Sequence, residues 1–432
     1  MDVAKLEGKA LVTDDLYQLA IRDGFVTVSR SNLDEIAKSE EKVQKLCDEI
    51  HKRIINGEIP FPFLKKYKIP NPMQLFRNLK VYKPQINTKP KDFRTVVWTD
   101  SSFKKEKYRD RHFSFENKEG DYEDIDILVD YFNEEIRMKG KLNHEKYSPL
   151  EAWKSREFLS QIIKQFLDSN TKDDLTSFAL RELVWANKLE CNSFKATLAS
   201  SVYWQFNAKR ILDISSGWGD RLLASIGHYA ERYLGFDPNI ELQPGYNAMK
   251  DMFLKDEFKS AFEVRPIQFE EADLEGETFD LVFTSPPYYD FEVYVEGDST
   301  QSMERYNTLN SWLVHFLFTA LKKAWGALEQ GGNMVIHIND PNYPREIPES
   351  NRHRFVEVMI LFVGGWCEGS IFDGAIGSIG ETGQSKRAPK PRPMWVFYND
   401  IKYVSKGYSD RCRATLEKNY RSLYELTVKK FK

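Results

Sequence analysis

The stretch Phe279-Asp280-Leu281-Val282-Phe283-Thr284-Ser285-Pro286-Pro287-Tyr288-Tyr289 limits what this chain can become more than any other. Leu281-Val282-Phe283 are strand formers, and the two prolines that follow end any hydrogen-bonded ladder, because proline has no N–H and fixes φ. A buried strand therefore delivers Thr284 to Tyr289 to a sheet edge. In an open parallel sheet the carboxyl edge is where ligands bind. The paired prolines also hold the carbonyls of Thr284, Ser285 and Pro286 in nearly fixed directions, which suits them to accept hydrogen bonds from an amino group.

A chain of 432 residues, 41% of them hydrophobic, has material for two or three domains and a large core. The formal net charge of -3 gives no global attraction to a polyanion, so nucleic acid would have to be met by local basic patches. Cys47, Cys191, Cys367 and Cys412 lie far apart, without the paired spacing of a zinc site. Reduced thiols are expected, with no disulfide framework and no metal. Met1 to Leu11 carries acids and no apolar run, unlike a signal peptide, and no window reaches the ~20 apolar residues of a membrane span. The expectation is a cytoplasmic or nuclear protein with no membrane association.

Three regions follow from the patterning: an accessory or substrate-binding region over 1–147, a helical linker over 148–192 and a second domain over 193–432. The first is expected to be largely helical. Apolar spacing from Leu33 to Ile54 predicts one helix over Asn32 to Ile55, capped by Asn32 and stopped by Asn56-Gly57. Shorter helices are expected over Met73 to Leu79 and Ile125 to Met138. Ser148, Pro149 and Glu151 form a capping-box signature for a helix running to Asp168, and another is expected over Leu175 to Asn187. Between Pro60 and Pro90, prolines alternate with Lys65, Lys66, Tyr67, Lys68, Phe76, Arg77, Lys80 and Tyr82. This reads either as a basic, aromatic surface for nucleic acid or as an extended arm on the core. A second basic cluster, Lys104 to Arg111, follows a strand candidate over Arg94 to Thr99.

From Ser193 the pattern becomes strand, glycine turn and helix. Phe194 to Phe206 reads as a helix and Arg210 to Ile214 as a buried strand. Ser215-Ser216-Gly217-Trp218-Gly219-Asp220 is a tight turn before a helix with Leu222, Leu223 and Ile226 inward. Arg232 to Asp237 is a second strand ending in an acid, 24 residues after Asp213, where a carboxylate can accept both ribose hydroxyls of an adenosine. Further on, a helix is expected over Trp312 to Leu328, stopped by Gly331-Gly332, and then a strand over Met334 to Ile338. His337 reads there as a packed or hydrogen-bonded histidine. Phe355 to Phe362 is helical, and Trp366 to Phe372 and Pro393 to Tyr398 are strand-like. Between them, Asp373 to Arg392 holds four glycines and then Lys386, Arg387, Lys390 and Arg392. It is read as a loop that grips substrate phosphates, with a plain surface loop as the other reading.

Asp213-Ile214-Ser215-Ser216-Gly217-Trp218-Gly219, Asp237 and Thr284-Ser285-Pro286-Pro287-Tyr288 together resemble the class I S-adenosylmethionine-dependent methyltransferases. Within that family they are similar to the amino methyltransferases of DNA, whose motif is Asp/Asn/Ser-Pro-Pro-Tyr. The resemblance covers Ser193 to Asp400. It implies an α/β, Rossmann-like sheet, mostly parallel with an antiparallel last strand, and S-adenosyl-L-methionine as cofactor. It assigns Asp213, Ser215, Gly217 and Gly219 to the cofactor's methionine part, Asp237 to its ribose, and Gln268, Glu270 or Asp273 to its adenine. Ser285, Pro286, Pro287, Tyr288 and Tyr289 become the catalytic loop, with Lys386, Arg387, Lys390 and Arg392 on the substrate. The implied reaction is methylation of an exocyclic amino nitrogen, cytosine N4 or adenine N6, in nucleic acid, with DNA favoured over RNA. The order of the motifs and the serine at position 285 leave the base open. An RNA amino methyltransferase and a non-catalytic protein retaining the fold are the alternatives.

Overall fold

The computed structural model describes residues 17, 19–87, 113–116, 123–169, 171–289, 291–340, 354–379 and 392–432. The chain forms two compact units. One draws on Met1–Lys68, Glu134–Asn192 and Phe291–Glu296, the other on Ile69–Asn133, Ser193–Asp290 and Gly297–Lys432. The strand expected over Arg94 to Thr99 and the basic cluster Lys104 to Arg111 lie outside the described residues, as do Lys386, Arg387 and Lys390.

The larger unit is built on nine strands: β1 (Gln85–Asn87), β2 (Phe113–Glu116), β3 (Arg210–Asp213), β4 (Arg232–Phe236), β5 (Phe262–Arg265), β6 (Phe279–Thr284), β7 (Leu328–Ile336), β8 (Ser370–Ile379) and β9 (Arg392–Asn399). Their order is β1-β2-β8-β9-β7-β6-β3-β4-β5. From β7 through β6, β3 and β4 to β5 every pairing is parallel, and β9 inserts antiparallel between β7 and β8. This is the expected Rossmann-like α/β sheet, with its last strand antiparallel. The central strands are continuous apolar runs because both faces are covered. Val282, Met334 and Ile336 share one core with Trp312, Phe318 and Phe362 of the helices on that side. On the other face Tyr203, from the helix Ala196–Phe206, meets the ring of Phe283 at 5.8 Å.

Part of the basic, aromatic segment also belongs to this unit. The helix Pro72–Val81, capped by Asn71, stacks Phe76 on Phe253 with ring centroids 4.0 Å apart, and Tyr82 is buried, its hydroxyl 3.2 Å from that of Ser201. Those two aromatics are core, not a stacking platform. In the smaller unit Lys65 pairs with Glu135 and Lys68 with Glu182, so these cations are already countered.

Several expected elements change at their boundaries. The helix over Asn32 to Ile55 is two helices, Arg30–Ile36 and Glu40–Ile55, with Ser29 rather than Asn32 as the first cap. Ser39 opens the second from an extended conformation, and Asn56-Gly57 ends it as expected. The capping box is formed: Glu151 N donates to Ser148 Oγ at 3.3 Å and Ser148 N to Glu151 Oε2 at 2.8 Å. That helix stops at Lys154, however, because Ser155 caps a separate helix, Arg156–Asp168.

The long helix before β7 passes through a π-helical segment, Trp312–Phe318. Gly331 and Gly332 do not stop it but lie inside β7, which begins at Leu328. There the register against β6 jumps from Phe279↔Leu328 to Leu281↔Asn333, and a Cβ on Gly332 would stand 2.9 Å from the carbonyl of Asp280. The two glycines fall within this register shift, between the paired residues Leu328 and Asn333. Likewise β8 continues to Ile379, so Gly374 and Gly377 of the expected loop are ladder residues beside β9, with a bulge after Phe372. Among the described residues no helix is long and apolar enough to cross a membrane. Replacing Ser148 by alanine removes the cap that starts the Pro149–Lys154 helix and should destabilise the chain by about 1 kcal/mol in urea titrations.

Candidate active site

β3 and β6 are neighbours, with Ile211 opposite Leu281 and Leu212 opposite Val282. Sheet order reverses between them: the chain runs outward from β3 through β4 to β5, then returns to β6 and continues to β7 on the other side. Such a switch point is where open α/β sheets bind ligands. The turn after β3 and the two-proline loop after β6 both leave the sheet at its carboxyl edge here.

In the first turn Gly217 and Gly219 have φ of +58 and +105, a region side chains disfavour. A Cβ on Gly219 would lie 2.9 Å from Met249 Cε, the movable end of a flexible side chain, so it is the backbone conformation that calls for glycine there. At Gly217 the nearest atom to such a Cβ is the carbonyl of Ser215 at 4.0 Å, and the space beyond is open. Asp213 is fully buried. Its Oδ2 accepts from Arg221 Nε and from the Tyr233 hydroxyl, both at 2.7 Å, and its Oδ1 from Ser215 N at 3.2 Å. Its carboxylate is therefore committed to fixing the turn. Arg221 donates to the Ser215 carbonyl as well, and the Tyr246 hydroxyl donates to that of Gly217. Asn133 donates to the Trp218 carbonyl at 2.8 Å and lies so close to Gly245 that no Cβ fits between them.

Asp237, just past β4, is brought to the same turn. It accepts from Gly217 N at 2.9 Å and from Asn239 N at 3.0 Å. Burial pushes its pKa up to about 7 against the pull of those two N–H groups. Asp220, the first residue of the helix Asp220–Gly227, is buried too, and burial raises its pKa to about 8 although the Ser193 hydroxyl donates to it at 2.7 Å.

The turn after β5 carries Gln268 and Glu270. Lys323 anchors it by donating to the carbonyls of Phe269, Glu270 and Ala272 at 3.1, 2.7 and 2.8 Å. Glu270 accepts from the Tyr306 hydroxyl at 3.3 Å, and burial raises its pKa. Asp273 is exposed and accepts from Glu275 N in its own turn.

In the loop after β6, Pro286 is buried and Ser285, Pro287, Tyr288 and Tyr289 are half-buried. The hydroxyls of Ser285 and Tyr288 both reach His337, at 3.2 Å from Nδ1 and at 3.2 and 3.3 Å from its carbonyl oxygen. Tyr289, at φ +45, turns away, donating to the Asn307 carbonyl at 3.1 Å with its ring 5.8 Å from that of Trp312. His337 lies one residue beyond β7, not inside it, and is hydrogen-bonded as the sequence suggested. Arg392 opens β9, and its side chain lies outside the described residues. Among the described residues no group of three His, Cys, Asp or Glu side chains is placed to hold a metal ion.

Arg221, Asn133, Tyr246 and Lys323 also belong to the site, beyond the residues to which the motifs point. Arg221 had a usable signal: an arginine beside the inward residues Leu222 and Leu223 must be buried with a partner, and the strand acid is nearby. Asn133 had none, since only folding brings it to the turn.

No protein-family model matches the chain, and no curated protein matches it. Among solved structures it is similar to TrmN from Thermus thermophilus, with 14% identity over 48% of this chain and 50% of that one and a TM-score of 0.30. It is also similar to an rRNA methylase from Streptococcus thermophilus, with 13% identity over 49% and 99% and a TM-score of 0.30. A methyltransferase from Pyrococcus furiosus gives 15% identity over 47% and 83% and a TM-score of 0.29. The match spans half the length of TrmN. At these scores the sheet order and register, not the likenesses, define the fold.

Arg221→Met would leave the Asp213 carboxylate buried without its cation. A loss of about 3–5 kcal/mol in unfolding free energy is expected from urea titration, with a smaller loss for Arg221→Lys.

Proposed function

We propose that the chain is an S-adenosylmethionine-dependent methyltransferase that acts on an exocyclic amino nitrogen of a base in nucleic acid, with DNA as the first substrate to test. One observation carries this reading. The Gly217–Gly219 turn with Asp237, and the Ser285-Pro286-Pro287-Tyr288 loop, flank a single switch point of the sheet.

The residues present fit the cofactor. Gly217 opens a cradle that a Cβ would fill, and Asp237 stands at the strand end where a carboxylate receives ribose hydroxyls. Ser215 and Asp213 shape the turn that faces the methionine part, and Gln268 and Glu270 sit on the Lys323-anchored turn assigned to adenine. When bound, the cofactor supplies an electrophilic methyl group on a charged sulfonium. On the substrate side, Ser285 Oγ and the Pro286 carbonyl accept the amino hydrogens, which draws the nitrogen lone pair out of conjugation with the ring. Positioning then supplies much of the rate, and no strong base is needed before attack. The Tyr288 ring serves as a stacking surface for an extruded base. Lys386, Arg387, Lys390 and Arg392 are assigned to backbone phosphates on charge alone.

Mass spectrometry of nucleosides from DNA and RNA incubated with the chain and labelled cofactor tests this directly. Label on an amino nitrogen is expected. Label in RNA alone moves the substrate, and label in neither polymer overturns the proposal. Tyr288→Ala should cut product by about 100-fold or more while leaving the cofactor dissociation constant unchanged. The raised pKa of Asp237 gives a second expectation, because only the ionised carboxylate can accept both hydroxyls. Protonation as pH falls through 7 competes with binding, so calorimetry should find the cofactor held about tenfold more weakly at pH 6 than at pH 8. Asp237→Asn should flatten that dependence.

A further inference from the structure

Two hydroxyl groups of the loop after β6 share one acceptor residue, and the sheet arranges this. Thr284 is opposite Ile336, and His337 N donates to the Thr284 carbonyl at 2.9 Å, so the ladder runs one step past β7. Alternation along the strands then places His337 on the same face as Phe283 and Ser285. Phe194 covers that face, its ring edge-on to those of Phe283 and His337 at 5.5 and 5.4 Å. The imidazole is thus fixed by aromatic packing on one side and by the ladder at its backbone, while Nδ1 meets Ser285 Oγ and Tyr288 Oη at 3.2 Å each. A hydroxyl has one hydrogen to donate and two lone pairs with which to accept. Nδ1 and the carbonyl of His337 offer an acceptor to each hydroxyl, provided the imidazole carries its proton on Nε2.

We propose that His337 is a positioning residue that takes up the hydroxyl hydrogens of Ser285 and Tyr288, so that Ser285 Oγ presents only lone pairs to the amino group being methylated. This rests on the amino-methyltransferase reading above. An uncommitted Ser285 hydroxyl would donate its hydrogen to the amino nitrogen and occupy the lone pair needed for attack. With that hydrogen engaged by His337, the oxygen accepts from the amino group instead. Tyr288 is held by the same acceptors, which fixes its ring for stacking.

His337→Phe keeps a ring against Phe194 and the backbone carbonyl but removes Nδ1, leaving one acceptor for the two hydroxyls, and His337→Asn returns the second acceptor in the form of the amide oxygen. The phenylalanine variant should lose about tenfold in kcat, the size of one neutral hydrogen bond, with KM for nucleic acid and the cofactor dissociation constant unchanged. The asparagine variant should recover most of that loss. Unchanged kcat in His337→Phe, or an asparagine variant as slow as the phenylalanine one, overturns the proposal. The imidazole 15N resonances give a readout that needs no turnover: an unprotonated Nδ1 whose shift moves in the Ser285→Ala/Tyr288→Phe double variant. A protonated Nδ1, or a resonance indifferent to those changes, overturns the proposal whether or not the chain methylates anything. The expected signal together with no methylation of DNA or RNA sinks the substrate reading and leaves the contact standing.

Discussion

The buried pair of Asp213 and Arg221 holds the site together. Desolvating two charges is expensive, and such pairs often add nothing net to stability. Here their value is geometric. Asp213 ends β3, Arg221 lies in the first turn of the following helix, Tyr233 reaches across from β4, and Ser215 between them is bound through both its N–H and its carbonyl. Four points of the backbone are thereby fixed around the glycine turn. The Arg221 guanidinium also lies over Phe194, 5.2 Å from its centroid. The edge of Phe194 meets His337, which receives Ser285 and Tyr288. A continuous line of contacts joins the glycine turn to the two-proline loop, and each link is an interaction with preferred geometry rather than a loose apolar touch.

Around that line the acids are poised unusually. Burial raises the pKa of Asp237 to about 7 and that of Asp220 to about 8, although the Arg221 charge pulls both down. A carboxyl whose ionisation is suppressed by burial recovers it when positive charge or new hydrogen-bond donors come within reach.

The remaining architecture supports the edge from behind. Helices on both faces press the central strands into a continuous apolar layer, and the insertion of β9 between β7 and β8 completes the side of the sheet next to the proline loop. The Pro72–Val81 helix packs through Leu79 against Gly227, where a Cβ would come within 3.2 Å, and so steadies the far end of the helix that begins at the glycine turn. Sequence remote from the motifs therefore contributes to the same unit.

Local chemistry was legible in the sequence where a residue's own backbone constraint decides the outcome. Two prolines must end β6 after Thr284, glycines must take the left-handed conformations after β3, and Ser148 with Glu151 must start a helix, because each effect acts within a few residues. The mostly parallel sheet was implied by the family resemblance that these motifs carry. Tertiary structure alone decided where elements stop and which distant groups meet. Ser155 caps a new helix where periodicity joined two, and the chain turns extended at Ser39 between two others. Gly331 and Gly332 lie within β7, in the register shift against β6, because the residues on either side of them pair with that strand. Asn133, Lys323 and His337 reached the site only through folding, and no motif spacing in the sequence links them to the residues they meet. For His337 the sequence predicted a hydrogen-bonded histidine, and the fold supplied its partners, Ser285 and Tyr288.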